Sequence, residues 1–102
     1  MYLIQIFLPL YNNNGKRFSK KIYQPIREVL LKRFGGLTVY TRAPASGLWR
    51  SGTDKTVRDD LLIFEVMSAR LNQSWWRRYR RDLEKIFEQN ELLVRAFSLR
   101  LL

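Results

Sequence analysis

The sequence predicts an α+β domain whose elements follow the order β-α-β-β-α-β. Two segments repeat their apolar residues at the three- and four-residue spacing of helices. Four shorter segments are rich in the β-branched and aromatic residues that strands favour. The 102 residues, 46% of them hydrophobic, are enough for one compact core and too few for two. We therefore expect a single domain over residues 1–102.

Strand 1 is predicted within residues 1–10, which are rich in Leu, Ile and Phe. The polar stretch 11–15 that follows has the composition of a turn. The apolar opening has neither a basic leader nor a small-residue cleavage site. We therefore expect it to be a strand of the mature protein and not a signal peptide.

Helix 1 is predicted between an N-cap at Ser19 and a stop at Gly35-Gly36. Pro25 lies inside this segment and cannot donate a helical hydrogen bond. Either the helix begins near Gln24 with Pro25 in its first turn, which we favour, or it is kinked at Pro25. Its apolar positions at helical spacing are Ile22, Ile26, Val29, Leu30 and Phe34.

Strand 2 is predicted over residues 37–42 and breaks or bulges at residues 43–47, where Ala, Pro, Ser and Gly occur. It can resume over residues 48–50, where we expect Trp49 to anchor a loop or an interface. After a polar turn, strand 3 runs from Leu61 to Met67.

Helix 2 is predicted to begin at a cap on Asn72 or Ser74, to run to about Gln89 and to stop at Asn90. Strand 4 then spans residues 92–101. The first two turns of helix 2 are crowded with arginines, although the positive end of the helix dipole disfavours cations. The positions at helical spacing that predict its apolar stripe are Trp76, Tyr79, Leu83, Ile86, Phe87 and Asn90.

This element order is that of the ferredoxin-like fold, a four-stranded antiparallel sheet with strand order 4-1-3-2 and two helices on one face. The residues also resemble a family of small uncharacterised bacterial ferredoxin-like proteins. The resemblance implies the fold and carries no activity or site residue. It rests on Gly35-Gly36-Leu37-Thr38-Val39-Tyr40, Gly47-Leu48-Trp49, Phe64-Glu65-Val66, Tyr79-Arg80, Leu83-Glu84, Phe87 and Gln89.

The amino-acid composition limits the kinds of catalytic and metal-binding chemistry that the protein can perform. The chain has no cysteine and no histidine, which removes disulfides, thiolate catalysis and the commonest metal ligand. We therefore expect no metal and no cofactor, and we favour a cytoplasmic location. No apolar run reaches the roughly 18 residues of a membrane-spanning helix, so no membrane span is expected.

The charge balance points to an anionic partner. Nineteen Lys and Arg face nine Asp and Glu, a net charge of +10. This excess attracts nucleic acid, an anionic membrane surface, an acidic protein or an acidic small ligand without specifying which. The candidate contact residues are the arginines on and before helix 2: Arg70, Arg77, Arg78, Arg80 and Arg81. Alternatively, they form a solvated helix face, with Arg78 paired to Asp82 and Arg80 to Glu84.

Side-chain alternation along the strands predicts two faces of the sheet. One parity is apolar and belongs to the core: Ile4, Ile6, Leu8, Leu62, Phe64, Val66, Val94 and Ala96. The other parity forms an open face: Leu3, Gln5, Phe7, Ile63, Glu65, Met67, Leu93, Arg95, Phe97 and Leu99. With strands 4, 1 and 3 side by side, Arg95, Gln5 and Glu65 are expected to form a polar row across this face.

An open face this apolar predicts a homodimer or higher homo-oligomer, because exposed hydrocarbon of several hundred Å² costs several kcal/mol at ~25 cal/mol per Å². In a dimer, Arg95 and Glu65 would pair with each other or across the two-fold axis.

We therefore interpret the chain as a small basic homo-oligomeric binding protein that engages an acidic partner or anionic ligand. One alternative is binding of the nucleic-acid phosphate backbone by helix 2. RNA binding by the sheet is not favoured, since strand 3 lacks the aromatic recognition pattern. The other alternative is a cofactor-independent enzyme in a dimer-interface cavity, with Glu65 as base, Arg95 as anion clamp and Tyr40 or Trp49 lining it. The absence of histidine, cysteine and any recognised catalytic motif argues against an enzyme.

Overall fold

The structure, a computed structural model, describes residues 1–42 and 61–102, and in these ranges the chain forms one antiparallel sheet and two α-helices. The strand order is β2-β3-β1-β4, as predicted. The elements are β1 Tyr2–Pro9, α1 Gln24–Phe34, β2 Thr38–Arg42, β3 Leu61–Ser68, α2 Gln73–Ile86 and β4 Val94–Ser98, with a short 3-10 turn Lys20–Ile22 before α1. The α+β fold with sheet order 4-1-3-2 is therefore confirmed.

Several expectations fall on residues 43–60, which lie outside the described residues. They are the break of strand 2, its resumption over 48–50, the polar turn after it and the role of Trp49. The Gly47-Leu48-Trp49 part of the family resemblance lies there too.

The core lies between the two helices and one face of the sheet. On β1 the alternate side chains Ile4, Ile6 and Leu8 are buried. On β3 the same face carries Phe64 and Val66, also buried. The helices cover them with Tyr23, Ile26, Leu30, Trp76, Leu83 and Phe87. The parity predicted for the core is therefore correct on both central strands.

Helix α1 begins where the favoured alternative placed it. Ser19 caps the preceding 3-10 turn by accepting a hydrogen bond from the backbone N–H of Lys21. Pro25 lies in the first turn of α1, where its missing N–H has no helical acceptor to satisfy. At the other end Gly35 adopts the left-handed conformation at φ 78° and donates its N–H to the carbonyl of Leu31. Glycine suits this position because it has no Cβ to clash there.

Helix α2 begins at the predicted cap but ends earlier than predicted. The Asn72 side chain accepts a hydrogen bond from the Trp75 N–H at 3.1 Å. The helix stops at Ile86, and Glu88 takes the left-handed conformation at φ 53°. The N–H of Gln89 donates to the carbonyl of Glu84, and the N–H of Glu88 to that of Lys85.

This pair of bonds is a Schellman motif, in which glycine or asparagine usually takes the left-handed position. Here Glu88 takes the left-handed position. The predicted helix stop at Asn90, which was based on residue type, is therefore wrong. The Glu84 carboxylate accepts the Leu92 N–H at 2.9 Å, which fixes the turn toward β4. As a result β4 covers only Val94–Ser98 and not the predicted 92–101.

The predicted apolar stripe of α2 is wrong at two positions. Leu83 and Phe87 are fully buried, whereas Ile86 is 49% exposed and Asn90 lies beyond the helix and is exposed. Neither α1 nor α2, the two α-helices of the described residues, has the length and apolarity that crossing a bilayer requires.

Leu83 and Ile86 provide a matched test of this assignment. Leu83→Ala should lower the free energy of unfolding by about 2–5 kcal/mol, because it leaves a cavity in a closed core. Ile86→Ala should lower it by less than about 1 kcal/mol, since half of that side chain is already in solvent. Urea unfolding followed by circular dichroism measures both values. Equal losses for the two variants would contradict the exposure of Ile86 and the burial of Leu83.

Candidate functional site

The predicted polar row on the open face of the sheet is present. Gln5 of β1 lies opposite both Glu65 of β3 and Arg95 of β4 in the strand register. The Arg95 Nε donates to Gln5 Oε1 at 2.9 Å. The Gln5 Nε2 donates to Glu65 Oε2 at 3.0 Å. One amide side chain therefore links a cation and an anion across three adjacent strands.

Tyr40 extends this row onto the fourth strand. Its hydroxyl donates to Glu65 Oε1 at 3.4 Å. Tyr40 lies opposite Ile63, one alternate position along β3 from Glu65, so the contact is diagonal. The sequence suggested Tyr40 only as a lining residue. Strand register could have revealed the contact, because diagonal neighbours lie within reach of a long side chain.

Apolar side chains flank the row, and they are less uniformly exposed than predicted. Met67 is 50% and Phe97 44% exposed. Phe7 and Ile63 lie on the same face but are 6% and 8% exposed. Phe7 is shielded from solvent in part by Arg95. The guanidinium carbon of Arg95 lies 4.9 Å from the Phe7 ring centre and 5.1 Å from that of Phe97. The stem and head of this arginine thus cover part of the hydrocarbon.

The arginines singled out from the sequence lie on and beside α2, on the helical side of the molecule. Arg70, Arg77, Arg78 and Arg81 are exposed and Arg80 is partly buried. The expected partner of Arg80 is found, with its Nε 4.0 Å from Glu84 Oε2. The expected pairing of Arg78 with Asp82 is absent from the ion pairs of residues 1–42 and 61–102.

An aromatic stack that the sequence did not reveal lies beside this cluster. The guanidinium of Arg33, at the end of α1, lies 4.2 Å from the ring centre of Trp75. Tyr79 stacks on Trp75 at 4.8 Å with an interplanar angle of 23°. The Trp75 ring is therefore already engaged by a cation and by another ring, which disfavours it as a platform for stacking a nucleic-acid base.

A groove between α2 and β4 is the second feature that sequence reasoning missed. Val94 and Ala96 were assigned to the core, but Val94 is only partly buried and Ala96 is exposed. They line a groove of about 170 Å³ whose other walls include Trp76, Arg77 and Arg80. Ala96 is exposed because β4 is the terminal strand and α2 does not cover it fully.

The described residues contain no group of three or more acidic side chains arranged to hold a metal ion. Of the tyrosines, Tyr79 has the largest perturbation: burial, followed by the nearby Asp82 carboxylate, raises the pKa of its hydroxyl to about 12. Burial also raises the pKa of Tyr23, which the charge of Arg17 partly offsets. The Tyr23 hydroxyl donates to the Pro9 carbonyl at 2.6 Å, so it is a structural group.

Comparisons with known proteins bear on the fold. No family model and no curated protein matches the chain. Among solved structures, a phage SAM lyase in complex with S-methyl-5'-thioadenosine is similar, with a TM-score of 0.65 and 14% sequence identity. The match covers 95% of this chain and 80% of the lyase chain. At this identity the likeness shows a shared fold and nothing of the activity.

Tyr79 gives a test of the α2 packing. Its hydroxyl oxygen is buried and has no hydrogen-bond partner within residues 1–42 and 61–102. Tyr79→Phe should therefore not lower the free energy of unfolding at pH 7, since an unpaired buried hydroxyl costs about 1–3 kcal/mol. A loss of more than about 1 kcal/mol would reveal a hydrogen bond to this hydroxyl.

The same variant predicts a difference at alkaline pH. The tyrosine pKa is near 10 in the unfolded chain and about 12 in the folded one. Between these values the unfolded state releases the proton first, so wild-type stability falls as pH rises from 10 toward 12. The Tyr79→Phe protein should lose less stability over that interval. Urea titrations at pH 9 and at pH 11 measure the difference between the two proteins.

Proposed function

We propose that the protein is a homo-oligomeric binding protein. Two copies pack through their open sheet faces, and the basic helical side engages an acidic partner or anionic ligand. The hydrogen-bonded row Arg95–Gln5–Glu65, with exposed Met67 and Phe97 around it, carries this proposal. Exposed hydrocarbon surrounding ordered polar groups is typical of a surface that another protein covers.

The row is self-complementary under two-fold symmetry. Adjacent strands lie about 4.8 Å apart, so the Arg95 and Glu65 positions are about 10 Å apart with Gln5 midway. A two-fold axis parallel to the strands, passing between two stacked sheets at Gln5, places Arg95 over the partner's Glu65. The same axis places Glu65 over the partner's Arg95. An isologous interface requires this reciprocity.

The row also lowers the cost of burying its charges. A buried ion pair is tolerated only where further hydrogen bonds satisfy both partners. Gln5 already accepts from Arg95 and donates to Glu65, and Tyr40 adds a second donor to Glu65. The terminal nitrogens of Arg95 are then the groups that would meet the partner's carboxylate.

The opposite side of the molecule supports the anionic part of the proposal. The net charge is +10, and Arg77, Arg78 and Arg81 project from α2 into solvent. This surface raises the local concentration of anions and speeds their encounter. An acidic protein is favoured over nucleic acid, because Arg33 and Tyr79 already contact the Trp75 ring and β3 presents Ile63, Glu65 and Met67 on the open face in place of aromatic residues.

A charge-reversal series tests the dimer. Arg95→Glu should yield monomers, because two like charges would meet at each end of the row. Glu65→Arg should do the same. The double variant Arg95→Glu with Glu65→Arg restores complementarity and should recover the dimer. Light scattering coupled to size-exclusion chromatography measures the mass against the 12.3 kDa of one chain.

Circular dichroism is the control for folding, and each single variant should keep the wild-type spectrum because the row lies on a surface of the folded chain. A wild-type protein that stays monomeric at high micromolar concentration would refute the proposal. Single variants that dimerise as well as wild type would refute the role of the row.

A second candidate function is a small-molecule site in the cavity between two such faces. It is favoured by the ligand of the structural neighbour, S-methyl-5'-thioadenosine, and by the geometry at Glu65. A carboxylate accepts hydrogen bonds from ribose hydroxyls, and an exposed ring such as Phe97 can stack on a purine. On this alternative Glu65 is the candidate base and Arg95 the candidate anion clamp, as the sequence suggested.

Titration calorimetry with S-methyl-5'-thioadenosine tests this candidate. Binding should occur in wild type and fall by at least about tenfold in Glu65→Gln, because the neutral amide loses the charge-assisted hydrogen bonds. Glu28→Gln is the matched control, since Glu28 is an exposed glutamate on α1. No heat of binding in wild type, or equal affinity in Glu65→Gln, would exclude this nucleoside as the ligand of the row.

A further inference from the structure

The groove between α2 and β4 has a mixed chemistry, and of its lining residues only Arg95 also belongs to the polar row. Its walls and floor include the apolar side chains Ile4, Leu71 and Val94. Arg77 and Arg80 lie along its α2 side. Arg95 of β4 also lines the groove, which thus combines hydrocarbon with three cations in a volume of about 170 Å³. This combination suits an occupant that is apolar at some positions and acidic at others.

The edge of β4 beside this groove offers backbone hydrogen bonds. The Phe7 N–H donates to the Leu93 carbonyl and the Leu99 N–H to the Met1 carbonyl, so odd-numbered residues of this strand bond inward to β1. In an antiparallel pair hydrogen-bonded and non-bonded residues alternate. The backbone groups of Val94, Ala96 and Ser98 therefore point away from β1. Within the described residues β4 is the last strand at this end of the sheet.

The outward backbone groups and the groove lining belong to the same residues of β4. Val94 and Ala96 carry the outward backbone groups, and they also line the groove. A strand added beside β4 would place every second side chain on the groove side of the sheet. Backbone bonding would then hold the occupant while the groove selects its side chains, as in other cases of strand addition.

Two of the groove's three arginines, Arg77 and Arg80, are only weakly engaged within the chain. The Arg77 Nη2 donates to Gln73 Oε1 at 3.5 Å, the upper limit of a hydrogen bond. The Arg80 Nε is 4.0 Å from Glu84 Oε2 and has no hydrogen-bond partner in the described residues, although it is buried. Arg77 is exposed and the Arg80 side chain is 41% exposed, so the accessible nitrogens of both guanidinium groups can pair with an acidic side chain from outside.

We propose that this groove binds an acidic extended peptide, which adds to β4 as a fifth strand. Its alternate apolar side chains enter the groove, and its acidic side chains pair with Arg77 and Arg80. The proposal rests on the acidic partner named in the proposed function and does not require the sheet-face dimer.

Two other occupants fit less well. A second copy of the chain would bring another +10 charge and another Arg77 and Arg80 to the same edge. A nucleic acid would satisfy the arginines but would leave the apolar floor and the alternating backbone groups of β4 without complementary partners. A peptide strand satisfies all three features.

Fluorescence anisotropy with a labelled short peptide of alternating Glu and Val tests the proposal. Wild type should bind it, and the double variant Arg77→Gln with Arg80→Gln should bind at least about tenfold more weakly. The matched control is Arg78→Gln with Arg81→Gln, which removes the same charge outside the groove and should weaken binding by less than about threefold. An alternating Lys and Val peptide should not bind.

Hydrogen exchange separates strand addition from charge attraction. Peptide should slow exchange of the Val94, Ala96 and Ser98 amides, while Arg95 and Phe97 are already protected by β1. Ala96→Pro removes one outward donor, spares the bonds to β1 and should weaken peptide binding. Because this proline can disturb β4, the fold of the variant is checked by circular dichroism. The comparison of the two arginine double variants does not depend on this proline variant.

Binding without slowed exchange at those three amides would overturn strand addition. Equal weakening of peptide binding by the two arginine double variants would overturn the assignment of the groove as the peptide site. If a single-stranded RNA oligonucleotide binds more strongly than the peptide and its affinity falls steeply with salt, the partner is a phosphate backbone and not a peptide. The outcome is independent of the dimer, because the Glu65→Arg monomer, whose changed residue does not line the groove, should still bind the peptide. A wild-type protein that binds the peptide but does not dimerise would thus refute only the sheet-face part of the proposed function.

Discussion

The pairing of β1 with both of its neighbours is the constraint on which the rest of the molecule depends. β1 pairs with β3 from Tyr2 to Pro9 and with β4 from Tyr2 to Ile6. Because side chains alternate, a shift of one residue in either pairing would move every core side chain of that strand to solvent. The buried residues of β1 fix the register, and the register then brings Gln5 between Glu65 and Arg95. The polar row is thus a consequence of core packing.

Gln5 is suited to the centre of this row because an amide has both a donor and an acceptor. Its oxygen accepts from the Arg95 cation and its nitrogen donates to the Glu65 anion. A leucine at this position would leave two charges about 10 Å apart with no link between them. The amide therefore makes the row directional, positive on β4 and negative on β3. That direction allows two identical faces to complement each other.

Local patterns in the sequence correctly predicted the features that depend on side-chain alternation and on residue type. Alternation separated the two faces of β1 and β3, and cap chemistry located Asn72 and Gly35. The sequence failed where tertiary contacts override local preference. Glu88 takes a left-handed position that glycine normally fills, because the chain must turn there to bring Leu92 to Glu84 and Phe87 into the core. The exposure of Ala96 follows from how far α2 extends over β4, which no local pattern encodes.

The two sides of the sheet therefore present different chemistry to the surroundings. The open face carries a balanced row of one cation and one anion, and this balance fits the proposed packing of two copies. The groove at β4 has cations, hydrocarbon and outward backbone groups but no acid among its lining residues. Its complement must supply negative charge together with a strand. Arg95 borders both surfaces, but its Nε is hydrogen-bonded to Gln5, whereas Arg77 and Arg80 line only the groove, so one copy of the chain can meet both proposed partners at once.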